Sequence, residues 1–167
     1  EYIKENGAPK VVIPVDFAGV PAKLPEIWQL AKKYNFKVIE DASHSIGSKY
    51  FHEGKMYNCG SCDHADLAIF SFHPVKTVTA GEGGMVLTND DDLAKKVRMY
   101  ANHGMERNHR NFKDWKINNS NGKLIEKKSE TAQNIEQAPW LYQQQLLGFN
   151  YRITDIQSAL GSSQFKR

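Results

Sequence analysis

Two β-branched runs, Val11-Val12-Ile13-Pro14-Val15 and Lys37-Val38-Ile39, flank a stretch of helical periodicity, and this spacing constrains the fold more than any other feature. Pro25 can open the helix, and Ile27, Leu30, Ala31 and Tyr34 recur at the interval that gathers apolar side chains on one face. Strand, helix and strand in that order imply a parallel pair joined by a right-handed crossover. The first run reads as a buried strand, with Asp16 to Gly19 as the loop at its C-terminal end. Leu67 to Phe72 reads as a third strand and Met85-Val86-Leu87-Thr88 as a fourth.

Asp90 can then cap a helix that turns Leu93, Val97, Tyr100 and Ala101 to the core and stops at Gly104. Thr154-Asp155-Ile156-Gln157 has the form of a capping box, opening a helix with Ile156, Ala159 and Leu160 on one face. Residues 106–137 are polar, rich in Asn and Lys and without periodicity. They read either as an exposed loop excursion or as a lid. The class is α/β, and in such sheets ligands are expected at the carboxyl ends of the strands.

Length and charge narrow the function. A chain of 167 residues with 40% hydrophobic content can bury one sizeable core. Its net charge of +3 is too small to imply nucleic acid or an anionic membrane surface. No apolar run approaches the roughly 20 residues that span a bilayer. Cys59-Gly60-Ser61-Cys62 lacks a second ligand pair for zinc, and it precedes a strand where redox pairs open a helix. Ordinary loop thiols are the plainer reading beside a metal or redox site, and a reducing cytoplasm suits them. A nicotinamide dehydrogenase would want Gly-x-Gly-x-x-Gly after the first strand, and Gly19-Val20-Pro21 is not that.

The chemistry concentrates at two strand ends. Lys76 follows the third strand and precedes Gly81-Glu82-Gly83-Gly84, where backbone could come close to a ligand and an amine could be partly desolvated. Ser71 lies on that strand, either to bond a phosphate oxygen or to cap nearby backbone. Asp41 ends the second strand, either as a turn residue or as a partner for a protonated pyridine nitrogen. His44, three residues on, is either structural or a contact of the same ring; His73 reads as structural, and Glu82 could face a substrate. A lysine and an aspartate at the ends of two strands are what pyridoxal 5'-phosphate (PLP) chemistry needs.

Pro14-Val15-Asp16-Phe17-Ala18-Gly19, Glu40-Asp41-Ala42-Ser43-His44-Ser45-Ile46-Gly47, Phe70 to Lys76 with Gly81 to Gly84, Asn102-His103-Gly104, and Leu147-Gly148-Phe149-Asn150-Tyr151-Arg152 to Leu160-Gly161 run in order along the chain. Together they resemble the signatures of the DegT/DnrJ/EryC1/StrS sugar aminotransferases. Ser71 to Gly84 and the stretch from Pro139-Trp140 to Gln145 are most similar to the pseudaminic-acid branch of that family. The resemblance implies that 1–167 is part of the PLP-binding large domain of a type I aminotransferase fold, with a mixed, mostly parallel sheet flanked by helices. It further implies a longer protein, with an upstream Gly-Thr-rich turn, a ring-stacking aromatic and a C-terminal small domain that this stretch lacks. The stretch alone is then expected to bind PLP weakly.

By the same resemblance Lys76 is the PLP-binding lysine and proton shuttle, Asp41 the pyridine-nitrogen partner and Ser71 a phosphate ligand. His44 stands where the wider family often has Gln contacting the cofactor's phenolic oxygen. Asn150 matches a residue that reaches the phosphate in a neighbouring subunit, so a homodimer with shared sites is implied. The implied reaction moves the amino group of L-glutamate to C4 of a UDP-4-keto-6-deoxy-N-acetyl-hexosamine. The alternatives are a perosamine- or 4-amino-arabinose-type nucleotide-sugar aminotransferase, or a non-catalytic regulatory homologue. Dehydratase relatives carry His where Lys76 stands.

Overall fold

β-Branched and aromatic residues form the central sheet of the computed structural model, which describes residues 1–108, 111–112, 117–118, 124–125 and 140–166. The chain divides into two units, Glu1–Ala94 with Ile153–Arg167, and Lys95–Arg152.

In the first unit, helix α1 (Tyr2–Asn6) leads to β1 (Val11–Val12), a 3-10 turn (Phe17–Gly19), α2 (Leu24–Tyr34) and β2 (Lys37–Asp41). A hairpin of β3 (Lys49–His52) and β4 (Lys55–Asn58) follows, then β5 (Leu67–Ser71) and β6 (Gly84–Leu87). The sheet order is β1-β2-β5-β6. β1, β2 and β5 run parallel, with Val12 opposite Val38 and Asp41 opposite Ile69; β6 is antiparallel to β5, with Gly84 opposite Ser71. The sheet is therefore mixed and mostly parallel, as the family resemblance implies, and its β1–β2 pair is the parallel pair that the strand-helix-strand spacing predicts.

The first strand is shorter and less buried than its composition suggests. Regular pairing stops at Val12 and resumes only as a bridge between Val15 and Asp41. Pro14 has no N–H to donate, which a sheet tolerates on an edge strand such as this one. Val11, Ile13 and Val15 are 43%, 57% and 50% exposed, so one face of β1 lies open.

Helix α2 begins one residue before Pro25 and ends where Asn35 turns left-handed (φ 56°). Its inner face is Leu24, Ile27, Trp28, Ala31 and Tyr34, whereas Leu30 is exposed. Ala31, Phe36, Val38 and Ala65 form the core under this helix, and Phe72, Val78 and Ala80 form a second cluster. Fully burying a side chain such as Val38 contributes about 1.5–3 kcal/mol.

The hairpin carries no strong signal in the sequence. Its turn residues Glu53 and Gly54 both have positive φ (47° and 78°), the geometry that matches the twist of two flanking strands. Tyr50 and Tyr57 stack across it at 5.4 Å.

Helix α3 (Asp91–Ala101) is capped as expected: Asp90 Oδ1 accepts from the amides of Asp92 (2.9 Å) and Leu93 (3.0 Å). None of its residues is fully buried, and Tyr100 is largely exposed. The second unit contains two-stranded ladders of β7 (Met105–Glu106) with β10 (Gln143–Gln144), and of β8 (Ile117–Asn118) with β9 (Leu124–Ile125). The remainder of the polar stretch 106–137 lies mostly outside the described residues.

Helix α4 (Asp155–Gln164) has the full capping box between Thr154 and Gln157. Its expected apolar face points the other way: Ile156 is 83% exposed and Leu160 43%. Gly161 is the buried residue, and a Cβ there would sit 3.5 Å from that of Ala80. The helix packs on Ala80 through this glycine, and the larger apolar side chains Ile156 and Leu160 stay outside that contact.

Candidate active site

Asp41 and Ser71 stand at the C-terminal ends of adjacent parallel strands, because Asp41 pairs with Ile69 two residues before Ser71. Side chains alternate along β2, so Glu40 is buried on one face and Asp41 is turned to the other, where it is half-buried. Asp41 Oδ1 accepts from Ser43 N at 3.1 Å. Its other oxygen takes no hydrogen bond from the described residues.

His44 is exposed in the loop after β2, beside the 3-10 turn. Ala18 N donates to His44 Nδ1 at 3.3 Å, and the Phe17 ring lies 5.9 Å away. In a neutral imidazole that bond leaves the proton on Nε2, a donor free for a ligand oxygen. Neither Ser43 nor Ala18 was a candidate from the sequence, since backbone donors carry no residue-type signal.

The segment after β5 is tied at its base. Phe72 N donates to Gly83 O at 2.8 Å, while Phe72 O accepts from Ala80 N (2.9 Å) and Thr79 Oγ1 (3.2 Å). Val78 and Ala80 are buried beneath it. Lys76 sits in the intervening turn, its amide bonded to His73 O at 3.0 Å. It is half-buried, and among the described residues no carboxylate pairs with it. Ser71 Oγ accepts from His73 N at 3.4 Å, the local capping alternative, yet its own O–H is uncommitted by that bond.

The glycines after Lys76 have a different role from the one expected. A Cβ on Gly84 would meet Phe70 O at 2.8 Å, and one on Gly83 (φ 148°) would meet Ile153 at 3.1 Å. Packing against β5 and the start of α4 requires them, so they shape the loop that carries Lys76. Gly81 alone opens onto free space.

Asn150 belongs to the second unit. It forms an antiparallel bridge with Asn102, and the neighbouring Arg152 donates to Asn102 Oδ1 at 2.7 Å. Its side chain is exposed.

The cysteines are structural. Both are free and buried, and burial pushes the thiols up, to about 12 for Cys59 and about 11 for Cys62. Cys62 Sγ donates to Leu87 O at 3.4 Å. Such thiols are poor nucleophiles, which disfavours the redox reading.

The donor set therefore comprises an unpaired lysine amine, a carboxylate with an open oxygen, a hydroxyl with a spare proton and an outward imidazole N–H. It fits PLP: the amine can condense with its aldehyde, the carboxylate can pair with its ring N–H, and the two donors suit its phosphate and phenolic oxygens.

Comparison with known proteins supports the same chemistry. The sequence model of the DegT/DnrJ/EryC1/StrS aminotransferase family matches residues 2–167. A Campylobacter jejuni protein named UDP-4-amino-4,6-dideoxy-N-acetyl-beta-L-altrosamine transaminase is 39% identical over 153 residues, spanning 92% of this chain and 31% of the relative. GDP-perosamine synthase of Caulobacter vibrioides is 35% identical over 158 residues, 95% of this chain and 33% of the relative. Among solved structures, Helicobacter pylori PseC, described as an aminotransferase involved in the biosynthesis of pseudoaminic acid, superposes with a TM-score of 0.69 at 29% identity. That match covers 96% of this chain and 34% of PseC. The chain thus spans about a third of the length of the curated relatives it matches.

Proposed function

The chain belongs to the DegT/DnrJ/EryC1/StrS aminotransferase family, and from that premise we propose that the whole protein is a PLP-dependent nucleotide-sugar aminotransferase. It takes the amino group of L-glutamate and delivers it to C4 of a UDP-4-keto-6-deoxy-N-acetyl-hexosamine. The observation that carries this reading is Lys76 in the turn that follows Ser71, paired with no carboxylate among the described residues, with Asp41 ending the adjacent parallel strand.

PLP, when bound, supplies an electron sink for the carbanion formed at the carbon that loses or gains the amine. Lys76 Nζ is the amine that would hold the cofactor through its aldehyde and would move the proton to and from the substrate carbon. Asp41 would pair with the ring nitrogen through its open oxygen and favour its protonated form. His44 Nε2–H would suit the phenolic oxygen, and Ser71 O–H the phosphate. Asn150 would reach the phosphate bound in a second copy of the chain, making the working unit a homodimer. The free cysteines suit a reducing cytoplasm.

The likeness to GDP-perosamine synthase favours one second reading, transfer to a GDP-linked 4-keto sugar. Incubation of the full-length protein with amino-¹⁵N-glutamate and UDP-, GDP- or dTDP-4-keto-6-deoxy sugars separates the two. Mass spectrometry should find ¹⁵N in the UDP-N-acetyl-hexosamine product; label in the GDP sugar alone would favour the second reading, and label in none would overturn both.

A further inference from the structure

Behind Asp41, on the opposite face of β2, lies a polar cluster that the cofactor-facing residues do not use. Glu40 is 2% exposed, and Asp16 and Ser45 are fully buried. One donor atom each of Asp16, Glu40 and Cys59 lies within 4.8 Å of the others. Asp16 Oδ1 accepts from Ala22 N at 2.8 Å and Oδ2 from Ser45 Oγ at 2.7 Å. Both oxygens of Glu40 accept from Gly60 N at 3.0 Å. Each oxygen of Asp16 has its own donor, whereas the two of Glu40 share the single N–H of Gly60.

Two carboxylates this close and this buried do not both ionise at low cost. Burial raises the Glu40 carboxyl to about 7, against the Gly60 N–H, and the charge of Asp16 adds to the rise. Among the described residues, the other titratable groups that interact with it are Tyr50 from β3, with Cys59 and Cys62 from the turn after β4. None of these is a cation.

The cluster joins three loops. Asp16 reaches the 16–22 segment through Ala22 and the 42–48 loop through Ser45, and Ser48 Oγ donates back to Gly19 O at 2.9 Å. Glu40 reaches the turn at Gly60, which also meets the 42–48 loop through Cys59 N and Ser48 O at 2.9 Å. The first two of these loops carry Ala18 and His44, and Glu40 is the residue before Asp41.

We propose that Glu40 is a positioning residue of the PLP site: through Gly60, and packed against Asp16, it ties these loops together and so clamps the strand end and loop that present Asp41 and His44. The role rests on the aminotransferase reading. Glu40→Gln keeps an acceptor for Gly60 and gives Asp16 an N–H, so it should substitute for the protonated acid. Glu40→Leu keeps the size and removes both bonds.

The test compares full-length wild type, Glu40→Gln and Glu40→Leu. One arm titrates PLP by absorbance and follows the first turnover with L-glutamate; the other follows thermal unfolding of the apoproteins from pH 5 to pH 8. Glu40→Leu should lose about tenfold or more in PLP affinity or first-turnover rate, while Glu40→Gln stays within about threefold of wild type. A folded carboxyl raised above its ordinary value stabilises at low pH and loses that stabilisation as pH rises through about 7. Wild-type Tm should therefore fall across this window more than that of Glu40→Gln.

Wild-type behaviour of Glu40→Leu in the first arm would overturn the positioning role. If Glu40→Leu does not fold, the comparison of wild type with Glu40→Gln decides, and an equal fall in Tm for that pair would overturn the clamp by a protonated Glu40. A wild-type protein that takes up no PLP would instead overturn the aminotransferase reading, and the positioning role with it.

Discussion

Ser43 orients Asp41: its amide donates to Asp41 Oδ1 at 3.1 Å, so the carboxylate is aimed by the residue two positions downstream. The Asp41 backbone is held as well, donating to Pro14 O at 2.8 Å and accepting from Asp16 N at 3.0 Å. Asn at position 41 keeps an oxygen for Ser43 and loses the charge that favours a protonated ring nitrogen. Asp41→Asn is therefore expected to retain cofactor and to lose about 10²-fold or more in turnover. Steady-state rates with L-glutamate and the keto sugar check this, and an unchanged rate would remove the proposed role.

Lys76 has no ion-pair partner among the described residues, so its removal should leave the fold intact and delete one chemical function. Borohydride treatment of the PLP-loaded full-length protein should add the cofactor's mass covalently in wild type and not in Lys76→Ala. Covalent mass on Lys76→Ala would place the attachment at another lysine.

Ser71 O–H is a neutral donor, and one such bond contributes about 0.5–1.5 kcal/mol. Ser71→Ala should weaken PLP binding by up to about tenfold, with turnover of the saturated enzyme little changed. A titration showing identical affinity would return Ser71 to its local role of accepting from His73 N.

With thiols at about 12 and about 11, Cys59 and Cys62 are thiolate to only about one part in 10⁴ and 10³ at pH 8. Iodoacetamide should label neither in the native protein within the time that fully alkylates the urea-unfolded chain. Rapid native labelling, read by mass spectrometry, would contradict their burial.

Thr154 and Gln157 satisfy each other's backbone amides at the start of α4, at 3.3 Å and 3.1 Å. Thr154→Ala should cost about 1 kcal/mol of stability, seen as a lower denaturation midpoint at unchanged slope. No shift in midpoint would mean that α4 is held by its packing alone.

Local rules made much of this molecule legible in advance. The Thr154 capping box, the Asp90 cap and the strand-helix-strand opening each depend on a few neighbouring residues, and each forms where the sequence puts it. Lys76, Asp41 and Ser71 stand out as candidates for the same reason, because a functional group at the end of an apolar run is a local pattern. The β3–β4 hairpin was not, since its turn residues Glu53 and Gly54 adopt positive φ without a strong turn pair.

What the sequence determined by itself was the α/β class, the helix caps and the family to which the site residues point. Tertiary structure decided which faces are covered and which backbone amides meet which side chains. Ile156 and Leu160 face outward while Gly161 packs on Ala80, and Gly83 and Gly84 serve the packing of their loop. Glu40, Asp16 and Ser45 became a single buried group only when three loops closed over β2. Periodicity reports which residues could be buried together; contacts between distant segments settle which of them are.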